Sequence, residues 1–263
     1  MNIKSKSALV LIALAASAAV FAEDKAPEST LSYNIGAVSD YRFRGITQTN
    51  YGAAVQGGVD YAHASGLYVG TWASNVNWVK QVNGATDGNY ELDIYGGYKG
   101  ELQPGLSFDV GYISYMYPGN NSGAAGTPGA GAYSNANTQE FYGAITYGVT
   151  TLKYNQSIGD FLGNINSNGS RYLDLSATFD LGNGYALTPH VGRQTIPNVT
   201  GDVANYTDLA LTLVKDLGDG LTVSAAYVAT NADTGFYVNQ GAPAGDGKLI
   251  GKNGAVIGVK YAF

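Results

Sequence analysis

The chain has 263 residues, with 14 basic residues, 20 acidic residues and no cysteine. The lack of cysteine excludes a disulfide framework and any cysteine-ligated metal site, and the acidic balance argues against nucleic acid as a partner, since nucleic-acid binding needs clustered Lys and Arg. The 37 glycines and 21 tyrosines exceed ordinary globular usage, and leucine-rich helical runs are absent. This composition favours a single all-β unit.

The N-terminal residues 1–22 are predicted to be a cleaved secretory signal peptide. Lys4 and Lys6 precede an almost uninterrupted apolar run that ends at Ala22, a small residue suited to the cleavage position. An N-terminal membrane anchor is the alternative, but the run is shorter than the roughly 20 residues that a span needs. Cleavage would leave one domain, 23–263, with 12 basic and 20 acidic residues and a net charge of −8.

In chain order, twelve segments alternate apolar residues with small or polar ones. Most extend over about ten positions, the length that a tilted strand needs to cross an outer membrane. The first begins at Leu31 and is expected to continue through Phe43 to Arg44, and the last ends on Phe263. The twelve segments are 31–44, 55–61, 67–74, 91–99, 106–112, 140–147, 152–158, 173–181, 185–194, 208–213, 221–227 and 255–263.

The connections between these segments alternate in length, and this favours one architecture. Short connections rich in turn residues fall at 63–66, 103–105, 148–150, 182–184 and 218–220. Longer polar stretches fall at 80–89, 118–137, 160–169, 197–204 and 231–252. The pattern predicts an all-β fold: one antiparallel up-and-down transmembrane β-barrel of about 12 strands, with short periplasmic turns and long extracellular loops. The alternative is a soluble β-sandwich or lipocalin-like barrel, whose apolar face would enclose a core.

Outward-facing aromatic residues are expected at both ends of the strands, as in the aromatic girdles of membrane barrels. Tyr261 and Phe263 also end the chain, and we interpret them as an assembly signal read by the barrel-assembly machinery and periplasmic chaperones. The predicted girdles contain Tyr61, Tyr98, Phe108, Tyr147, Phe179, Tyr185, Tyr261 and Phe263 near the short turns, and Tyr41, Phe43, Phe141 and Tyr227 near the long loops.

Several motifs resemble a known bacterial family. They are SDYRFRGI at 39–46, QGGVDY at 56–61, GTWASNV at 70–76, ELDIYGGY at 91–98 and YMYPG at 115–119. The chain is similar to the TorF-type porin family, whose members are catalogued as conserved proteins of unknown function. The resemblance covers the whole mature chain and is densest over 36–120. It implies an outer-membrane barrel that passes small solutes, but it brings no established substrate or site residues.

The alternation also predicts which charged side chains face the lumen. Nine acidic and five basic residues give the inner wall a net charge of −4, and this predicts a weak preference for cations if Arg42 and Arg44 are paired with acids. The acids are Asp40, Asp60, Glu91, Asp93, Asp109, Glu140, Asp174, Asp180 and Asp208, and the bases are Arg42, Arg44, Lys99, Lys153 and Lys260. The candidate pore-lining set is Asp40, Arg42, Arg44, Asp60, Trp72, Glu91, Asp93, Tyr95, Asp109, Glu140, Lys153, Asp174, His190 and Asp208.

Two interpretations of the lumen stay open. Its charges either form cross-strand ion pairs that seal a narrow interior or line a wet pore. The inward aromatic residues either fill the interior or stack on sugar or nucleoside rings. These aromatic residues are Tyr68, Trp72, Tyr95, Tyr115, Tyr142 and Tyr172.

Enzymatic chemistry is not expected. His63 lies in a predicted turn and His190 faces the lumen, where strand register is expected to place Asp208 closer to Arg193 than to His190. Two separated histidines without cysteine cannot form a metal cluster, and the chain has no cofactor motif. The predicted function is passive passage of small hydrophilic solutes, with lipid and lipopolysaccharide as surroundings. A sealed structural or adhesive barrel acting through its loops is the alternative, and a hydrolase at the barrel rim is less favoured.

Overall fold

The computed structural model describes residues 28–240 and 245–263, so the predicted signal peptide lies outside the described residues. The strands are β1 (Ser29–Val38), β2 (Arg42–Phe43), β3 (Ile46–Thr47), β4 (Ala54–His63), β5 (Leu67–Asn75), β6 (Tyr90–Gln103), β7 (Leu106–Met116), β8 (Thr138–Tyr147), β9 (Thr150–Ser157), β10 (Arg171–Ala177), β11 (Phe179–Gly182), β12 (Tyr185–Thr195), β13 (Tyr206–Gly218), β14 (Leu221–Thr230) and β15 (Gly254–Ala262). A short helix α1 (Trp78–Gln81) and a 3-10 turn (Thr200–Asp202) lie in the connections. None of the helices in the described ranges is long and apolar enough to cross a membrane.

Twelve antiparallel strands close into a barrel. Each strand pairs with its neighbours in chain order, and β1 pairs with β15 to close the wall, with Asn34 opposite Ala262 and Val38 opposite Gly258. The eighth strand of the wall is β10 continued by β11, with an interruption at Thr178. The small β2–β3 hairpin forms a separate sheet. The predicted 12-strand up-and-down barrel is confirmed.

The barrel has an apolar exterior and a polar interior. On the outer surface Leu31 is 56% exposed and Ile257 is 65% exposed, whereas the inward-facing Glu140 is fully buried. A water-soluble sandwich or lipocalin-like barrel would have the opposite burial, because its apolar face would enclose the core. The outer face is therefore a lipid-facing surface, as in transmembrane barrels.

Most of the predicted aromatic girdle residues lie on this outer surface. Phe108 is half-buried there. The exposed members are Tyr61, Tyr98, Phe141, Tyr147, Phe179, Tyr185, Tyr227, Tyr261 and Phe263. The expectation was wrong for Tyr41 and Phe43, which pack against a buried cluster inside the barrel.

The first strand ends earlier than the alternation predicts. β1 stops at Val38, and residues 39–53, which we call the inner hairpin, turn into the lumen before the chain returns to the wall at β4. Arg44 and Gly45 form its turn, with φ of 49° and 82°, the paired positive angles that favour a tight two-residue hairpin. Since β2 and β3 are themselves extended, the alternating pattern runs from the wall into the inner hairpin without a break.

Candidate functional site

The inner hairpin is stabilised from within by Asp40. The Asp40 carboxylate accepts hydrogen bonds from Arg42 Nε and Thr47 Oγ1, each at 2.5 Å. Arg42 also donates through Nη1 to the Gly45 carbonyl at 2.9 Å. Buried charges need a partner and saturated hydrogen bonds, and this arrangement supplies both. Asp40 and Arg42 are therefore paired with each other and do not belong to the wall.

Arg44 crosses the lumen from the tip of the inner hairpin. Its Nη2 lies 2.6 Å from Glu140 Oε2 on β8, and its Nη1 donates to Gln194 Oε1 on β12 at 2.9 Å. Its guanidinium also lies 4.5 Å from the centre of the Tyr172 ring. Burial alone would lower the pKa of Arg44, but the Glu140 carboxylate raises that pKa above its usual range, so the guanidinium stays charged.

Gly45 allows the hairpin tip to touch the wall at β13 and β14. A Cβ atom added there would lie 2.7 Å from Asp208 Cβ and 2.7 Å from Thr230 Cγ2. Its φ of 82° also disfavours any residue with a side chain. The contact between the inner hairpin and β13 and β14 therefore leaves no room for a side chain at position 45.

The other side of the inner hairpin is fastened to the connection before β15. Asn50 donates to Asp246 Oδ2 at 2.7 Å, the Thr47 amide donates to the Ile250 carbonyl at 3.0 Å, and Arg42 donates to the Lys252 carbonyl at 2.9 Å. The Tyr51 hydroxyl also donates to the Leu249 carbonyl. These contacts hold the inner hairpin against the connection before β15, on the side away from its contacts with β8 and β12.

Acids of the wall are bridged by tyrosines on the side of the lumen nearer the short turns. Asp60 accepts from the Tyr95 hydroxyl at 2.5 Å, and Asp109 accepts from the Tyr68 hydroxyl at 2.5 Å. The Tyr68 hydroxyl also bonds to Tyr142, and the Lys153 ammonium lies 4.2 Å from the centre of the Tyr142 ring. These tyrosines lie along the wall over glycines of neighbouring strands, with the Tyr95 hydroxyl over Gly70 and the Tyr68 hydroxyl over Gly97.

Glu91, Asp93 and Trp72 lie beneath the inner hairpin. Glu91 accepts from the Tyr41 hydroxyl at 3.0 Å, and Trp72 meets the Tyr41 ring edge-on with 5.4 Å between ring centres. Asp93 pairs with Trp72 across β5 and β6. Within the described residues, Glu91 Oε2 and Asp93 Oδ1 are buried without a hydrogen-bond donor.

His190 lies between two acids, which corrects the expected position of Asp208. His190 Nδ1 is 2.9 Å from Asp174 Oδ2, and Nε2 is 2.8 Å from Asp208 Oδ2. Arg193 is instead exposed on the outer face. Successive residues of a strand point to opposite sides, so Arg193, an odd number of positions from His190, points away from the lumen. With both ring nitrogens engaged by carboxylates, His190 has no serine or cysteine nucleophile to activate. In the described part of the chain, no group of His, Asp or Glu side chains has the arrangement to hold a metal ion.

The structure brings the candidate residues into three groups. Arg44 meets Glu140 inside the lumen; Asp174, His190 and Asp208 meet on the wall; Glu91, Asp93 and Trp72 meet next to Tyr41. Sequence reasoning did not select Gln194 or Gly45, the two residues that fix the hairpin tip. The Arg44-Gly45 pair is a turn signal that marks the hairpin, whereas nothing in the sequence singles out Gln194 among inward polar residues.

Solved structures share this fold. A "KdgM porin" has a TM-score of 0.54 at 9% identity, covering 89% of this chain and 99% of that chain. A "NanC porin" has a TM-score of 0.54 at 12% identity, covering 88% and 99%, and a "KdgM porin in complex with disordered oligogalacturonate" has a TM-score of 0.53 at 9% identity, covering 89% and 99%. Identities this low establish the fold alone.

Sequence comparison gives the family. No curated protein matches the chain. The sequence profile described as "Bacterial protein of unknown function (Gcw_chp)" matches residues 22–263, which is nearly the whole chain. The chain therefore belongs to the Gcw_chp family of bacterial proteins.

Proposed function

We propose that this protein is an outer-membrane channel for passive passage of small hydrophilic solutes. The observation that carries the proposal is a closed 12-strand wall with an apolar exterior and a charged, polar interior. The porin folds of the similar solved structures and the TorF-type resemblance support it. The proposal includes a Gram-negative outer membrane, contact with lipid and lipopolysaccharide, and insertion by the barrel-assembly machinery with periplasmic chaperones.

In this channel the inner hairpin is the constriction. It occupies the lumen between β8 and β12 through Arg44, and the wall residues Asp60, Asp109 and Lys153 line the part nearer the short turns. Solutes pass when the Arg44 contacts to Glu140 and Gln194 loosen. The constriction therefore limits both the size of the solute and the rate of passage.

The proposed ion preference is a weak one for cations. Arg42 is paired with Asp40, and Arg44 is paired with Glu140. Neither guanidinium therefore carries an unbalanced positive charge that would attract anions into the pore. The remaining lumen acids exceed the lysines, and a low-dielectric wall concentrates the resulting negative potential. A reversal potential measured in a KCl gradient should have the sign for K⁺ preference, and clear selectivity for Cl⁻ would overturn this part of the proposal.

Liposome swelling tests the passage of solutes. Vesicles containing the purified protein are diluted into isotonic solutions of neutral sugars of increasing size. The proposal predicts protein-dependent swelling that is fastest with the smallest sugar and falls with size. No swelling with any sugar would contradict it.

A sealed barrel is the second candidate function, because the inner hairpin occupies the lumen. The Arg44–Glu140 ion pair fastens the hairpin to the wall at β8. A sealed barrel would act through its extracellular loops, as an adhesive or structural surface. It predicts no swelling from the wild-type protein and none after the inner hairpin is displaced, whereas the proposed channel gives swelling in both cases.

A further inference from the structure

All six long connections meet around one apolar cavity next to the inner hairpin. The cavity has a volume of about 70 Å³ and is not fully enclosed. Each of the connections 39–53, 76–89, 117–137, 158–170, 196–205 and 231–253 contributes to its lining. Representative lining residues, one from each connection, are Ile46, Trp78, Tyr133, Phe161, Ile196 and Tyr237.

The lining determines what kind of molecule the cavity accepts. Aromatic and aliphatic side chains form most of it, and the polar contributors are threonine, glutamine and asparagine. Among the described residues that line the cavity, none is charged. An ion would lose its hydration there without gaining a counter-charge, whereas an apolar group would gain from leaving water.

The volume limits the size of the occupant. An apolar cavity of about 150 Å³ stays dry and accepts benzene. The cavity here has about half that volume, at about 70 Å³. It therefore suits a compact apolar molecule or the apolar end of a larger solute.

We propose that this cavity is a binding site for uncharged, compact apolar groups at the extracellular mouth of the barrel. Its lining includes Phe43 and Phe161, whose ring centres lie 4.7 Å and 5.4 Å from the Arg44 guanidinium. An occupant thus packs against the same rings that hold Arg44 in the lumen. Binding at this site is measured at equilibrium on the purified protein. The test of binding is therefore independent of whether the barrel conducts.

Dibromomethane is the probe that tests the proposal. It is uncharged and compact, and its bromine atoms quench tryptophan fluorescence on contact. Trp72 and Trp78 are the two tryptophans, and only Trp78 lines the cavity. In full-length protein carrying Trp72→Phe, the proposal predicts saturable quenching of Trp78 by dibromomethane. Bromide, the charged quencher used for comparison, should give only weak, non-saturating quenching.

Two matched isoleucine variants assign the quenching to the cavity. Ile196 lines the cavity, whereas Ile113 is equally apolar and buried but lies outside it. Ile196→Phe fills the space and should weaken dibromomethane binding by about tenfold or more, and Ile113→Phe should leave it within about twofold. Equal effects of the two substitutions, or non-saturating quenching in the parent protein, would overturn the proposal.

A third variant keeps the test decisive if Ile196→Phe does not fold. Ile196→Ala enlarges the cavity, so the affinity ratio should shift in favour of the bulkier tribromomethane over dibromomethane. An unchanged ratio in folded Ile196→Ala protein would show that the probes bind elsewhere, and the proposal would then be wrong.

Discussion

Arg44 shows how a single residue determines the state of the lumen. It is almost fully buried, and its charge is balanced by the equally buried Glu140 at 2.6 Å. Gln194 and the Tyr172 ring complete its surroundings. A guanidinium can satisfy a carboxylate, an amide and an aromatic face together, so Lys would not replace it equivalently.

Removing the Arg44 charge should destabilise the protein strongly. Arg44→Gln leaves Glu140 buried without a counter-charge, which is expected to cost about 3–5 kcal/mol of unfolding free energy. The double variant Arg44→Gln with Glu140→Gln should recover much of this loss, because no isolated charge remains. Denaturant unfolding of the protein refolded in lipid vesicles measures both values.

Arg193 provides the control for this experiment. It is exposed on the outer face, where it donates to Thr207 Oγ1 at 3.2 Å. Arg193→Gln should change the free energy of unfolding by less than about 0.5 kcal/mol. A single Arg44→Gln variant as stable as Arg193→Gln would show that the buried ion pair is not formed in the membrane.

At the scale of elements, the sequence predicts the wall but not the inner hairpin. The strand count follows from a period of two, and the alternating connections follow from the turn residues and the loop lengths. The period alone does not say which face is outside, and the terminal Phe263, the signal peptide and the aromatic positions supply that part of the prediction. The same period continues through Tyr41 and Phe43, so alternation cannot show that β1 ends at Val38. What ends it is tertiary: Asp40, Thr47 and the contacts to residues 246–252 supply hydrogen bonds that an extended β1 would lack.

The candidate site was predictable only in part, for a related reason. The alternation of inward and outward side chains along each strand correctly places Glu140, His190 and Asp208 inside the barrel. The alternation of inward and outward side chains along one strand carries no information about partners on distant strands or on a segment folded into the lumen. The Arg44–Glu140 pair joins residues 96 positions apart, so only the folded barrel defines it.

The last strand yields a prediction about assembly. Phe263 stacks on Tyr33 and Tyr261, with ring centres 5.6 Å and 5.5 Å apart, and thus links the two strands that close the barrel. Phe263→Ala removes both stacks, each worth about 0.5–1.5 kcal/mol, and should lower the folded, heat-modifiable fraction seen by gel electrophoresis. Phe263→Tyr keeps the ring and should fold at the wild-type level. Equal folding of both variants would count against an assembly role for Phe263.

At the scale of the whole molecule, the two rims differ in a way that predicts orientation. The 117–137 connection is long and exposes Gly126, whereas Gly105 lies in a short turn at the opposite rim. Both glycines have positive φ and no atom within 4 Å of an added Cβ, so both positions have room for an inserted epitope. An epitope after Gly126 should bind antibody on intact cells, and one after Gly105 only after the outer membrane is opened. The reverse result would invert the topology.

The inner hairpin is a removable constriction in a polar lumen, and two glycines allow a matched test. Gly45 and Gly105 have nearly equal φ, 82° and 81°, but of the two only Gly45 is a position where an added Cβ collides with the wall, at Asp208 and Thr230. Gly45→Ala should therefore displace the hairpin tip from Asp208 and Thr230, while Gly105→Ala should leave the lumen unchanged.

Single-channel recording in planar bilayers measures the difference directly. We expect small conductance steps for the wild-type protein and for Gly105→Ala, and steps larger by about twofold or more for Gly45→Ala, because conductance follows the width of the narrowest section. Electrical silence from all three folded proteins would contradict the channel, and equal steps from all three would contradict the inner hairpin as its constriction.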